Sequence, residues 1–201
     1  MKKALCVVAA ILTSTALFAE GRFSPVGISI EHVKGGQTAQ YPSADDSVYG
    51  WRLTFVSSAH HGMVGLATAV FANTDAAVSG SVGGLQVASL FNTAGSGELG
   101  VWQLSGFCNM VTDSANGFQA CAFYNEVTRG YFVGMQTALA NKASVEFYGV
   151  QTGLYNDGDS VTGMQIGLVN RTHSLGGAQL GLLNFVKESA MDMFPIIRIG
   201  W

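Results

Sequence analysis

The sequence predicts an all-β protein: an antiparallel transmembrane β-barrel of about 10 to 12 short-looped strands, each repeat being one strand. The stated alternative is a parallel β-solenoid. Three observations support an all-β fold: a glutamine-to-asparagine unit recurs along the second half of the chain, turn-forming residues separate the units, and apolar residues alternate with small or polar ones inside them. Glycine-punctuated units of this length are typical of strands, because glycine is unfavourable inside a helix.

The amino terminus has the composition of a secretory signal. Lys2 and Lys3 precede an apolar run over residues 4–12, and small residues follow up to Ala19, after which we expect cleavage. The apolar run is too short to cross a bilayer as a helix. The chain therefore divides into a signal peptide, residues 1–19, and a single repeat-built β domain, residues 20–201.

Charge is scarce in this domain. Charged residues make up 11% of the sequence, against about 25% in an ordinary soluble domain. Two of the 10 basic residues leave with the signal, so 8 basic side chains remain with 13 acidic ones and the net charge becomes −5. This balance argues against nucleic acid as a partner. Since no apolar run reaches the length of a membrane helix, the apolar residues must lie in short strands.

The repeat becomes clear when each glutamine is aligned with the asparagine that follows it. Successive glutamines are 17, 16, 17, 15, 14 and 14 residues apart. This period leaves no room for a helical hairpin and predicts one strand per unit over residues 82–186. The seven units begin at Gln86, Gln103, Gln119, Gln136, Gln151, Gln165 and Gln179.

Segments outside the repeat have a similar pattern of apolar, small and polar residues. Residues 22–33, 49–58 and 62–73 are strand-like without the full motif, and residues 193–201 form a closing strand that ends on an aromatic residue. Together with the repeat they make about eleven strands. The exported chain, the length of the units and the aromatic end favour the barrel over the solenoid.

The two architectures use the repeat differently. In the barrel the apolar residues face lipid, and Gln165 and Gln179 line the lumen. Arg52 and Arg198, which closure can bring together, either line the lumen with them or form an internal ion pair with a loop carboxylate; the ion pair is favoured. Gln165 then lies opposite Asn184 in a hairpin. In the solenoid, Gln165 stacks on Gln179 instead, and identical amides form ladders.

Residues 47–201 resemble a family of bacterial surface repeat-containing proteins, built from GxQxGLxN units after a VYGxRL segment and ending in a PII-type strand. The matching stretches are SVYGWRL, GMQIGLVN, GAQLGLLN and FPIIRIGW, whereas the units at Gln103 and Gln119 depart from the pattern. The resemblance implies exposure at the cell surface or residence in the outer membrane. It implies no catalytic residues.

Other motifs offer little chemistry. GSGELG, residues 95–100, fits a dinucleotide-binding pattern but opens no helix, so we interpret it as a turn. His60 and His61 are adjacent, and neighbouring strand residues point to opposite faces, which disfavours a metal site. Cys108 and Cys121 lie on neighbouring strands, and both a disulfide and free buried thiols remain open.

These observations predict an outer-membrane or cell-surface repeat protein with a structural, pore-like or surface-interaction role and no catalysis. The alternative is an exported β-solenoid adhesin or scaffold. We expect no catalytic residue, no metal and no cofactor. The expected partner is the lipid bilayer of the outer membrane, together with an extracellular ligand that the sequence does not identify.

Overall fold

The computed structural model describes residues 23–31, 38–41, 47–55, 62–74, 82–95, 97–189 and 191–200. The predicted signal peptide, His32, the pair His60 and His61, and Trp201 lie outside the described residues. In the described part, 16 strands form one sheet. They are β1 (Phe23–Glu31), β2 (Thr38–Tyr41), β3 (Ser47–Thr54), β4 (Gly62–Ala69), β5 (Ala72–Thr74), β6 (Val82–Ala88), β7 (Phe91–Ala94), β8 (Gly97–Ser105), β9 (Cys108–Val111), β10 (Ala115–Ala120), β11 (Tyr124–Val127), β12 (Tyr131–Thr137), β13 (Ala140–Thr152), β14 (Tyr155–Ile166), β15 (Val169–Val186) and β16 (Met193–Gly200).

The repeat strands stack in parallel, each on the equivalent strand of the preceding repeat. One column contains β3, β4, β6, β8, β10 and β12, and a second contains β5, β7, β9 and β11; both columns continue into β13. Equivalent residues lie in register, so Gln151 pairs with Gln165 and Gln165 with Gln179. The chain is therefore a β-solenoid of about 7 turns.

The prediction of an antiparallel transmembrane barrel, and of porin-like character with it, is wrong; the alternative, a parallel β-solenoid, is confirmed. Among the described strands, antiparallel pairing occurs between β1 and β2 and between β15 and β16. The length of two equal units does not decide between parallel and antiparallel pairing. Burial decides the direction, because stacking gives each buried amide both a donor and an acceptor of its own kind.

The segment RTHSLG, residues 171–176, shows why the number of strands was underestimated. The predicted hairpin between Gln165 and Asn184 requires a turn between the two units, but this segment lies inside β15. Strand pairing continues through this segment, since Thr172 and Ser174 pair with equivalent residues of β14. Each repeat therefore supplies two strand segments, one on each side of a coil.

Each coil has two parts that we name by their limits. The Gln–Asn arc runs from the repeat glycine to the asparagine, as in residues 149–156, 163–170 and 177–184. The connecting arc runs from the next residue to the residue before the following repeat glycine, as in residues 157–162 and 171–176. The Gln–Asn arc itself contains a corner, where the chain bends at Gly167 and Leu168.

The repeat glycines allow the coils to stack closely at the start of each Gln–Asn arc. Gly149 has φ 143°, in a region that side chains other than glycine rarely adopt. A Cβ atom there would fall well inside van der Waals contact of the Gly134 carbonyl oxygen in the preceding coil. The glycine column therefore fixes the register of one coil on the next.

The interior has two different halves. Inside the Gln–Asn arcs lie the buried glutamines and asparagines, and inside the connecting arcs lies an apolar core. Phe132 and Phe147 are stacked in this core with ring centroids 5.5 Å apart and planes inclined by 11°. The core column that contains them continues into Val161 and Leu175.

Candidate interaction surface

The glutamines form a continuous hydrogen-bonded ladder through the interior. From Gln103 to Gln179, each Nε2 donates to the Oε1 of the glutamine in the preceding coil, at 2.7 to 2.8 Å. These side chains are fully buried or nearly so. Each internal glutamine of the ladder thus accepts one hydrogen bond from the following glutamine and donates one to the preceding glutamine. These bonds offset the cost of burying the amide.

The asparagines form a second ladder that runs the opposite way. Each Nδ2 from Asn73 to Asn170 donates to the Oδ1 of the asparagine in the following coil, at 2.8 to 3.0 Å. The second hydrogen goes to a backbone carbonyl of that following coil; Asn156, for example, donates to Ile166 O at 2.9 Å. The asparagine therefore ties the corner of one coil to the next.

One extra residue in the corner distinguishes the earlier units from the later ones. Asparagine follows glutamine after six residues in the unit at Gln119, but after five in the unit at Gln136. The longer corner lets Asn125 Nδ2 donate also to Gln119 O of its own coil, at 3.2 Å. The change in spacing is thus absorbed at the corner, and both ladders continue in register.

Two arginines occupy the glutamine column at opposite ends of the solenoid. Arg52 is fully buried in register with Ala67, and its Nη2 donates to Asn73 Oδ1 at 3.4 Å, the acceptor end of the asparagine ladder. Arg198 lies in register with Gln179, and its Nη1 donates to Met191 O at 2.6 Å. The two arginines are therefore not neighbours, as closure of the predicted barrel would have made them.

The four residues predicted to face a lumen are thus placed along one column, Arg52 first and Arg198 last. Gln165 and Gln179 are both fully buried rungs of the glutamine ladder. Gln179 ends the ladder, and its Oε1 has no hydrogen-bond partner within the described part of the chain. The column is a packed interior in which the amides hydrogen bond to each other.

The outward side of the Gln–Asn arcs is apolar. Trp102 is 59% exposed, and the exposed Leu66 and Met135 lie in the same column of the sheet, each two strands away from it. At the corner, one large apolar residue per coil forms a straight ridge along the solenoid. These ridge residues are Phe107, Phe123, Leu139, Leu154 and Leu168, each 44 to 51% exposed. We call the outward surface of the Gln–Asn arcs, ridge included, the apolar flank.

The apolar flank carries no charge in the repeat region. None of the seven Gln–Asn arcs between residues 84 and 184 contains Asp, Glu, Lys, Arg or His, whereas each connecting arc between them contains at least one. Seven stacked arcs at the usual strand spacing correspond to about 34 Å, and an arc of eight residues corresponds to about 25 Å of contour. The flank therefore covers roughly 800 Å², more than the largest apolar patch of a typical monomer.

Charges collect on the connecting arcs, where they alternate in sign along one column. Glu126, Lys142, Asp157 and Arg171 are in register. Lys142 Nζ lies 3.1 Å from Glu126 Oε1, and Arg171 Nε lies 4.0 Å from Asp157 Oδ1. These partly exposed pairs contribute little stability. They leave the column with no net charge.

Cys108 and Cys121, the cysteines in the described part of the chain, are free thiols. Cys108 pairs with Phe91 and Tyr124 in neighbouring coils and not with Cys121. Burial raises the pKa of the Cys108 thiol to about 11, which keeps it protonated and weakly nucleophilic at neutral pH. Cys121 Sγ donates to Asn125 Oδ1 at 3.2 Å.

The remaining motifs bring together no reactive group. The described residues of GSGELG begin directly after β7, and residues 97–100 lie in β8, so the motif leads into a strand and not into a helix. His173 Nε2 lies 3.2 Å from Glu188 Oε1 at the surface. Within the described ranges, no group of three or more His, Cys, Asp or Glu side chains is placed to hold a metal ion.

In the part of the chain that the structure describes, no helix has the length and apolar character needed to cross a membrane. Comparison with family models, curated proteins and solved structures gives no match. The resemblance to bacterial surface repeat-containing proteins therefore stays a prediction.

Sequence reasoning identified the glutamine column and an apolar outer face, but it missed the complete separation of charge from the Gln–Asn arcs. The signal was present: sorting the charged residues by their position in the repeat separates them completely from the Gln–Asn arcs. The separation of charged residues from the Gln–Asn arcs indicates a surface only once the coils are stacked, because stacking joins seven uncharged segments into one continuous surface.

Proposed function

We propose that this protein is an exported, non-catalytic β-solenoid that acts as a scaffold or adhesive surface, with the apolar flank as its binding surface. The observation that carries the proposal is the continuity of an uncharged, apolar surface over many coils. Apolar patches of this size mark interaction sites on soluble proteins.

The interior supports the same function by offering nothing to a ligand. The ladder amides of Gln136 and Asn141 bond to equivalent amides in the adjacent coils, so their hydrogen-bonding groups are already used. The recognition chemistry of the repeat region therefore lies on the outside. A solenoid suits such a role, because each added coil extends the same surface by one identical step.

Export and a place at the cell surface are part of the proposal. They rest on the signal-like residues 1–19 and on the resemblance of residues 47–201 to surface repeat proteins. The test is to express the full chain and a chain without residues 1–19 in a bacterial host, and to digest intact cells with protease. We expect the full chain to be cleaved from outside and the truncated chain to be protected.

The binding role of the flank is tested in the same cells with a matched pair of variants. Leu154→Asp/Leu168→Asp places two carboxylates on the ridge, and Thr112→Asp/Ser144→Asp places two on exposed positions of connecting arcs. We expect the ridge variant to be released into the medium and the control to stay cell-associated. Equal retention of both variants would rule out the flank as the binding surface.

A further inference from the structure

We infer that the apolar flank lies on a lipid bilayer, with the ridge inserted at the hydrocarbon boundary and the connecting arcs facing water. The inference rests on the proposed function only for delivery of the chain to a membrane surface. It differs from the predicted barrel, because here the solenoid lies along the membrane plane and does not span it.

The shape of the flank favours lipid over a folded partner. Met164 and Ile166 precede the corner and Leu168 lies on it, so the flank bends around an edge. A partner protein with a flat surface would cover only one side of such an edge. Two copies of the chain that meet ridge to ridge would leave gaps on both sides. Lipid chains conform to a ridge and cover both sides at once.

The position of the charges sets a depth that matches interfacial binding. Arg171 follows the ridge residue Leu168 by three residues, which corresponds to about 10 Å of strand. Apolar faces that bind at the membrane surface are buried about 5–10 Å. With the ridge at that depth, the column of Glu126, Lys142, Asp157 and Arg171 lies at the level of the lipid head groups.

The backbone at the ridge is also suited to an apolar environment. Gly167 N donates to Leu180 O at 2.9 Å, Val169 N to Leu154 O at 2.9 Å, and Leu154 N to Leu139 O at 2.9 Å. The corners are thus hydrogen bonded from coil to coil. Polar backbone groups without partners are costly in hydrocarbon, and this arrangement pairs these amides within the protein before it meets lipid.

The charge balance predicts which lipids are bound. The column at head-group level contains two acidic and two basic side chains, and the exported chain is net acidic. Attraction to anionic lipid requires clustered basic residues. Binding should therefore be driven by apolar contact, without preference for anionic lipid and with little dependence on salt.

The test is flotation of the purified exported chain with phosphatidylcholine vesicles, with and without phosphatidylglycerol, at low and high salt. We expect the chain to float in every condition, with affinities that differ by less than about threefold. Leu154→Asp/Leu168→Asp should weaken binding at least about tenfold, because short carboxylates cannot extend to the head groups. Thr112→Asp/Ser144→Asp should bind as the wild type does. Circular dichroism confirms that both variants are folded.

Three outcomes would overturn the inference: failure of the wild-type chain to float, flotation that requires phosphatidylglycerol, and a vesicle-free dimer that Leu154→Asp/Leu168→Asp dissociates. The last would identify a second copy as the occupant of the flank. Protease digestion of intact cells separates this result from the proposed function. A surface-exposed chain that does not float contradicts the bilayer alone, whereas a chain that floats but is not exported contradicts the proposed function alone.

Discussion

The two arcs of each coil are built in opposite ways. The Gln–Asn arc is apolar outside and amide inside, whereas the connecting arc is charged outside and apolar inside. The connecting arc follows the usual arrangement of a soluble protein. The Gln–Asn arc reverses it, and the comparison shows that stacked amides can hold a coil together while leaving its outer surface free of charge.

The reversal is possible because the ladders satisfy their own polar groups. A buried amide hydrogen bond contributes only about 1 kcal/mol net, but a buried group left without its partner costs about 1–3 kcal/mol. The ladders are therefore less a source of stability than a strict requirement for register. Most apolar stabilisation comes from the connecting arcs, where Phe132 and Phe147 are fully buried.

The largest effect should come from the core of the connecting arcs. Phe147→Ala removes a fully buried ring that stacks on Phe132, and we expect a loss of about 3–5 kcal/mol in the free energy of unfolding. Tyr148→Ala, the outward-facing neighbour, should cost less than about 1 kcal/mol. Denaturant unfolding measures both values. Similar losses would contradict the assignment of the core.

A smaller effect should come from the ladder, and it should depend on position. Gln136→Leu breaks the bonds to Gln119 Oε1 and from Gln151 Nε2, so we expect a loss of about 2–4 kcal/mol. Gln179→Leu breaks the bond to Gln165 Oε1 and a longer one to Phe185 O at 3.3 Å, but it leaves no following glutamine without its acceptor and removes an Oε1 that has no hydrogen-bond partner in the described part of the chain; about 1–2 kcal/mol is expected. Thermal and denaturant unfolding compare them, and equal losses would exclude a continuous ladder.

The free energy of unfolding should depend on pH through the buried thiol of Cys108, at the corner of the Gln–Asn arc. Burial raises the pKa of Cys108 from 9.0 to about 11, so the unfolded chain loses this proton at lower pH than the folded chain. The contribution is fully present below pH 9 and is lost as the pH rises to about 11. Cys108→Ala should flatten this part of the stability profile. An unchanged slope would show that Cys108 does not titrate as a buried group.

The smallest effect should come from the charged column. Lys142→Gln removes the 3.1 Å contact with Glu126, and because the lysine is substantially exposed we expect a loss below about 1 kcal/mol. High salt should reduce the difference between variant and wild type further. Unfolding at two salt concentrations measures it, and a loss as large as that of Gln136→Leu would contradict the difference drawn between the arcs.

Much of the repeat could be predicted from the sequence, but its direction could not. The spacing of Gln165 and Gln179 and the alternation around them correctly indicated strands with one apolar face and an inward glutamine. Parallel and antiparallel pairing remained equivalent, because Gln165 could meet Gln179 or Asn184 without changing which residues alternate. The predicted signal peptide and the aromatic residue of the predicted closing strand then favoured the barrel.

The candidate site was hidden for a related reason. The predicted barrel would bring Arg52 and Arg198 together where its first and last strands meet. In the solenoid they lie far apart along one column, because the coils stack in the order of the chain. The apolar flank was interpreted as a lipid-facing barrel wall because alternation describes a face without its curvature. The bend at Leu168 and the course of RTHSLG as strand come from packing between coils, which a single repeat does not encode.

The central claim, parallel stacking in register, is tested most directly by a disulfide across adjacent coils. In a Cys108→Ala/Cys121→Ala background, Met164→Cys and Ala178→Cys place two thiols on directly paired residues of β14 and β15, close enough to bond without moving the backbone. Mild oxidation followed by peptide mass mapping should find the 164–178 bond. A hairpin would instead bring residue 164 opposite 185, so efficient bonding of Met164→Cys with Phe185→Cys, and none with Ala178→Cys, would contradict the solenoid.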